Sequence, residues 1–404
     1  MQSTHFDIII IGGGAAGLTA AISVKRKNRN SKVAILELQN RVGKKLLATG
    51  NGRCNLTNMN TSKANYHGSF DASETLNKYS PERLLDFFAD IGLVCSVENN
   101  GLVYPLCKQA SAVLDILRLT TEKLGVITIC DCKVELIKKN KSVFNIRTNI
   151  QNYTCDKVIV ATGGKASPSC GGTGAGLDTL RNLGHKITPL YPILRPIEVK
   201  CDYMKSLKGI RASGSVTLYD ENKMLKSESG EIQFSENSLS GICIFNLTPY
   251  LYNAKSPNIR INLMDDYSEE EICNELKKRR KLFANEYSEN YFTGLFHKRI
   301  GIALLKHCNI SVTKKCCELS DNEINKLCKT IRNWKFECVK NNDFSKAQVM
   351  MGGVYGKEID NKTFESKLIK NLYICGEAID ICGDCGGFNL HFAFSSGIIA
   401  GENI

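Results

Sequence analysis

The stretch FDIIIIGGGAAGLTAAISV, residues 6–24, decides the fold. Residues 6–11 are a continuous apolar run that stops at glycines, as a strand buried on both faces should. Residues 14–28 carry Ala, Leu, Ile and Val at helical spacing, and residues 32–37 (KVAILE) form a second short strand. Between strand and helix lies Gly12-x-Gly14-x-x-Gly17. Gly12 permits the tight turn, Gly14 lets the backbone approach a pyrophosphate, and Gly17 lets helix and strand pack closely. The helix N-terminus faces the anion. Glu37 ends the second strand twenty residues after Gly17, where an acid holds ribose hydroxyls. An acid there argues against a 2′-phosphate. The combination predicts dinucleotide binding. No basic segment precedes the stretch and glycines interrupt it, so it does not read as a targeting segment. Nothing else in the chain approaches ~18 uninterrupted apolar residues, and no membrane span is expected.

The 404 residues are 43% hydrophobic and 23% charged, which allows two or three cored domains and excludes a disordered or fibrous chain. Eighteen cysteines are scattered without a regular frame, and several, such as Cys243 and Cys375, sit inside apolar runs. They read as small buried thiols in a reducing cytoplasm. The net charge of +12 comes from dispersed lysines and short runs such as KKRRK (277–281), the wet face of a helix. A small-molecule substrate is therefore expected, and a nucleic-acid partner is not. The pattern does not specify an oligomeric state.

Along the chain, residues 38–60 read as a long polar, glycine-rich loop, followed by helices at about 81–91 and 109–124 with a hairpin at Asn100-Gly101 between them. Strands are expected at 126–130, 133–138 and 143–148, then at KVIVATGG (157–164). Prolines 189, 192 and 196 break the pattern, after which alternating segments suggest an antiparallel sheet, and 268–333 turns helical and charged. Strand-like segments return at 347–354 and 372–376, and a helix closes the chain from about 387. The expected organisation is an α/β domain, Rossmann-like, from residues 1–190 and 350–404. A β-rich insertion would span 191–265 and 335–349, with a helical subdomain at 266–334.

Three longer segments carry a family resemblance: GKKLLATGNGRCNLTN (43–58), VIVATGG (158–164) and LYICGEAID…GGFNLHFAFSSGIIAG (372–401). They resemble the signatures of the BaiN/RdsA family of FAD-dependent oxidoreductases and, more remotely, flavoproteins of the glutathione reductase type. GEIQFSENSLSG (230–241) and GGVYGKEIDNKTFESK (352–367) match in order, so the resemblance covers most of the chain. It implies FAD as cofactor. Gly12, Gly14, Ala15, Ala16 and Gly17 would cradle the pyrophosphate, and Glu37 the adenosine ribose. Lys45 and Thr49-Gly50-Asn51-Gly52-Arg53-Cys54-Asn55 would run along the flavin side. Val134 would meet adenine, with Ala161, Thr162 and Gly163 nearby. Gly376 and Glu377 fall at the ribityl chain, while Gly387, Phe388 and Asn389 would cap the pyrimidine edge. A reduced flavin carries negative charge near N1 and O2, which N–H groups at a helix N-terminus stabilise.

The flavin would carry the chemistry, so no acid–base pair need stand out. Tyr104, His391 and Cys54 are the candidates for a catalytic side chain; His391 stands where the family more often has glutamine. No metal set exists: Cys382-x-x-Cys385 has no second pair to complete zinc ligation. That pair reads as bystander thiols, with a thiol relay to the flavin as the rival. The chain lacks a second dinucleotide fingerprint, GGTGAG (171–176) having the wrong spacing, so NADH or NADPH, if used, docks transiently. The resemblance implies hydride transfer through flavin N5 to or from a substrate held by the insertion. The preferred reaction is reduction of a C=C conjugated to a ketone, as in 3-oxo bile-acid intermediates. Its rivals are oxidation of a small amino-ketone such as aminoacetone by O₂, an RNA-modifying flavoprotein, and a flavin-bound thiol sensor.

Overall fold

The computed structural model describes residues 4–404. The chain forms two compact units, Met1–Ile193 with Asp343–Ile404, and Leu194–Asn342. The first unit takes in more of the chain than the expected limits of 190 and 350. The reason is a strand pair: Tyr191–Ile193 lies antiparallel to Val349–Met351, drawing both crossover segments into the first unit.

The first strand, Thr4–Ile11, lies at the centre of a seven-stranded sheet. It runs parallel to Val33–Leu36 on one side and to Asn152–Val160 on the other. Ile127–Ile129 extends the sheet in parallel beyond Val33–Leu36. The strand Asn152–Val160 has two partners on its far edge: Val143–Thr148 antiparallel along its first half and Leu372–Ile374 parallel along its second. Five parallel strands thus end on one edge of the sheet, and the turns after four of them shape the site. Those turns begin at Gly12, Glu37, Ala161 and Cys375, and this convergence positions the site.

Two helices lie together over the sheet. Ala15–Lys27 and Phe388–Asn403 approach so closely that a Cβ on Gly397 or Gly401 would run into the carbonyl oxygens of Ala16 or Ala20. The Thr19 hydroxyl lies 3.2 Å from the carbonyl of Phe394 across this seam. The last helix is apolar nearly all round because Ile398, Ile399 and Phe394 are buried along with its small residues. The segment read as loop at 38–60 holds a short helix, Lys44–Ala48, started by Gly43 in the left-handed region at φ 72°, a 3-10 turn at Thr49–Gly52 and a two-residue strand, Thr57–Asn58.

The second unit contains a closed barrel of six strands, in the order Ile197–Lys200, Ser238–Ser240, Lys223–Phe234, Arg211–Asp220, Pro257–Asn262 and Trp334–Val339. The run at 268–333 divides into helices Glu269–Leu282, Lys298–His307 and Asp321–Arg332; Ser268 with Glu271, and Ser320 with Glu323, form the capping boxes that start the first and third. These helices share a single apolar core with the barrel, so the expected β-rich and helical pieces are one unit. No helix among the described residues is long and apolar enough to cross a membrane.

Replacing Gly397 by valine forces the two packed helices apart. Overpacking of this kind costs about 1–3 kcal/mol. The melting midpoint of the purified protein should fall by roughly 5 °C. An unchanged midpoint would mean the helices do not meet as described.

Candidate functional site

Where the strand ends converge, the first unit encloses a cavity of about 200 Å³, and a second of about 380 Å³ lies beyond it. Gly12, Glu37 and Thr162 line both. The three glycines of the opening motif divide their work. Gly12 sits at φ 103° with no room for a Cβ beside the Ala161 backbone, and a Cβ on Gly17 would strike the Gly12 carbonyl. Those two serve the fold. A Cβ on Gly14 would meet nothing within 4 Å, and Gly14 lines the cavity. No side chain caps the helix that Gly14 starts, so its first-turn N–H groups have no intrahelical partner. A carboxylate oxygen of Glu37 accepts from Gly13 N at 2.7 Å and the other from Gln39 N at 2.8 Å. Both oxygens keep lone pairs for hydroxyl groups.

At the other end of the first cavity, Lys45 Nζ lies 2.6 Å from Glu377 Oε2, and Glu377 Oε1 accepts from Met350 N at 2.8 Å. The last helix opens at Gly387, φ 98°, again with no side-chain cap. Asn389, Leu390 and Ala393 from its first turns line the cavity. The Asn389 amide is committed to the turn before the helix: Oδ1 accepts from Gly383 N, and Nδ2 donates to Gly383 O, both at 2.8 Å. It therefore anchors the turn with its side chain. Tyr66 also faces the cavity and donates to the Phe388 carbonyl at 3.0 Å. Burial holds its phenol protonated.

Of the other anticipated residues, Lys45, Thr49, Ala15, Ala16, Ala161, Gly163 and Gly376 lie on the first cavity, and Val134 on the second. The loop after Thr49 turns away. Gly50, Asn51, Gly52, Arg53, Cys54 and Asn55 are not on either cavity wall: Asn55 Oδ1 accepts from Val103 N at 3.2 Å, and Arg53 packs on Tyr104 at 4.4 Å. Gly387 and Phe388 are also behind the wall, Gly387 close against the Thr57 carbonyl and Phe388 edge-on to Tyr66. Cys54 is buried, and burial pushes its thiol up to about 12, which removes it as a nucleophile.

His391 is likewise no acid at a substrate. Its Nε2 lies 3.0 Å from the carbonyl of Tyr79, which only accepts, so Nε2 carries the proton. Nδ1 then accepts from the Thr57 hydroxyl at 2.7 Å. Both nitrogens are occupied, and burial lowers the ring's pKa to about 4. Cys382 lines the cavity, but burial raises its thiol far above the usual range and raises that of Cys385 to about 11. Neither ionises near neutral pH, which disfavours a thiol relay. Sequence reasoning missed Gln39, Tyr66 and Gln348, which carry no local signal. It set aside GGTGAG, yet Gly171 and Gly172 line the first cavity and Thr173–Gly176 the second.

Two uncapped helix N-termini, an acid between two joined spaces and a glycine position that a Cβ would fill suit a dinucleotide with a pyrophosphate near Gly14 and a ring system near Asn389. The model of the family described as HI0933-like protein Rossmann domain matches residues 6–403. The chain is 33% identical over 399 residues to the 3-dehydro-bile acid delta(4,6)-reductase of Clostridium scindens, covering 97% of each protein. It is 25% identical over 404 residues to the ribosomal RNA dihydrouridine synthase of Haemophilus influenzae, covering 98% of this chain and 97% of that protein. Among solved structures, a quinol-fumarate reductase with menaquinol has the same fold, with a TM-score of 0.53 at 14% identity, over all of this chain and 71% of the other.

Gly14→Ala should leave the melting midpoint of the cofactor-free protein unchanged while weakening retention of FAD at least tenfold. Fluorescence titration with FAD checks this, and an unaltered affinity would remove Gly14 from the phosphate cradle. His391 yields a second expectation. Its folded pKa of about 4 lies below the ordinary 6.5, so as pH falls through this window the unfolded chain binds a proton that the folded chain refuses. Stability that is full above pH 6.5 should drop by about 2 kcal/mol between pH 7 and pH 5 from this group. His391→Gln, which can still donate to Tyr79 and accept from Thr57, should remove that part of the decline in denaturant titrations. An equal decline in the variant would refute the assignment.

Proposed function

The chain belongs to the HI0933-like protein family, the BaiN/RdsA family its motifs resemble, and is an FAD-dependent oxidoreductase; on that premise we propose that it reduces a C=C bond conjugated to a carbonyl in a steroid-like 3-oxo substrate. FAD, when bound, would supply two-electron hydride chemistry. Gly14 and the N–H groups of the first helix would hold the pyrophosphate, Glu37 the adenosine ribose, and Val134 the adenine. Lys45 and Glu377 would meet the ribityl chain, and the N-terminus of the last helix would stabilise negative charge on the pyrimidine ring. NADH or NADPH would serve as transient donor.

The observation that carries this reading is the end-to-end likeness at 33% identity to a bile-acid reductase. A second reading follows from the dihydrouridine synthase relative: uridine in RNA. The C5=C6 bond of uracil is also conjugated to a carbonyl, so both readings ask for hydride at the β-carbon. The net charge of +12 permits contact with a polyanion.

The test is anaerobic reduction of the yellow protein with NADH or NADPH, followed by a 3-oxo-4-ene steroid, an unmodified ribosomal RNA fragment, or O₂. Bleaching by the nicotinamide and recovery of colour with the steroid are expected. Recovery with RNA alone, with dihydrouridine formed, would select the second reading. Bleaching by aminoacetone but not by nicotinamides would sink the reductase reading.

A further inference from the structure

Tyr104 stands beside the loop that leaves the cavity at Thr49, and the residue is 4% exposed. Arg53 Nη2 donates to its hydroxyl oxygen at 3.3 Å, with the guanidinium 4.4 Å from the ring centre. The Lys108 ammonium lies 5.5 Å from the same ring. One carboxylate, Glu98, serves both cations: Arg53 Nη1 is 4.0 Å away and Lys108 is in direct contact. Two positive charges therefore meet one negative charge. The phenol's own proton has no acceptor among the described residues. A buried O–H without an acceptor is costly unless something supplies one.

The backbone holding these groups is unusual. Asn51, Cys54 and Lys108 lie in the left-handed region at φ 55°, 57° and 56°, as do Gly50 and Gly52. Strain in non-glycine residues clusters where geometry is needed for function. A Cβ on Gly50 would lie 3.4 Å from the Tyr104 ring, so the strained loop rests on the phenol.

We infer that Arg53, Lys108 and Tyr104 form an oxyanion-binding site, beside the loop that leaves the cavity at Thr49, that receives a negatively charged oxygen of the substrate. The inference rests on the reductase reading for what that substrate is. Arg53 offers a planar fork, Lys108 a point charge and Tyr104 the unused hydroxyl proton. The oxygen has two possible sources. One is a permanent carboxylate on a steroid acid. The other is the reacting carbonyl: hydride from reduced FAD forms a C–H bond at the β-carbon, and the C=C pair shifts toward the carbonyl. Charge then rests on that oxygen until a solvent proton reaches the α-carbon.

The test uses FAD-loaded protein and the variants R53M, K108M and Y104F, each checked for flavin content and melting midpoint. Calorimetry measures binding of cholate, a steroid carboxylate with no C=C to reduce. Turnover is measured on a 3-oxo-4-ene steroid acid and on its methyl ester. If a carboxylate is bound, R53M and K108M weaken cholate binding about tenfold and raise KM for the acid but not the ester. If the reacting oxygen is bound, cholate binding is unmoved and kcat falls roughly 100-fold on both substrates, most in Y104F. Arginine-dependent cholate binding without turnover in the wild type would leave the site standing and overturn the reductase reading. Normal turnover and binding in all three folded variants would overturn the site alone, and a wild type that neither binds cholate nor turns over would overturn both.

Discussion

Two helices touch through backbone. Gly397 and Gly401 set the last helix directly against the carbonyls of Ala16 and Ala20 in the first, with no space for a side chain between them. Both helices begin at a glycine that offers no capping group, Gly14 in one and Gly387 in the other. Their bare N-terminal turns border the same cavity. Each such end carries partial positive charge. The closeness of the seam fixes the spacing of the two ends, and the parallel strands deliver Glu37, Ala161 and Glu377 to the same edge.

Much of that frame is legible in the sequence because its signals are local. A short run of isoleucines ending in glycines reads as a buried strand meeting a turn, and the spacing from Gly17 to Glu37 follows from one helix and one short strand. What stayed hidden depends on distant pairing. The pairing of Tyr191–Ile193 with Val349–Met351, separated by the whole second unit, moves the boundary between the units. Barrel closure is equally invisible to a period-two pattern, which marks strands without naming their partners.

The site shows the same division. Gly12, Gly14 and Glu37 follow from the glycine motif and its spacing, while Gln39, Tyr66 and Gln348 reach the cavity through side-chain directions that no local pattern marks. The loop at Gly50–Asn55 has the composition of a cofactor loop, yet left-handed backbone at four of its residues turns it outward. His391 has the composition of an acid, yet its two nitrogens tie the last helix to Thr57 and Tyr79. Cys382 and Cys385 have the spacing of a redox pair, and burial keeps them protonated. In each case the residue type was informative and its surroundings overruled it.

The seam between residues near 16 and residues near 397 also orders events in time. The ribosome makes the first helix before the second, with the separate apolar core of Leu194–Asn342 emerging between them. Until the last helix leaves the exit tunnel, the opening β-α-β segment has half a cradle and an uncovered helix face. The inserted unit can collapse on its own core during that interval. The cavity has both of its helix N-termini only once the later helix docks on the earlier one.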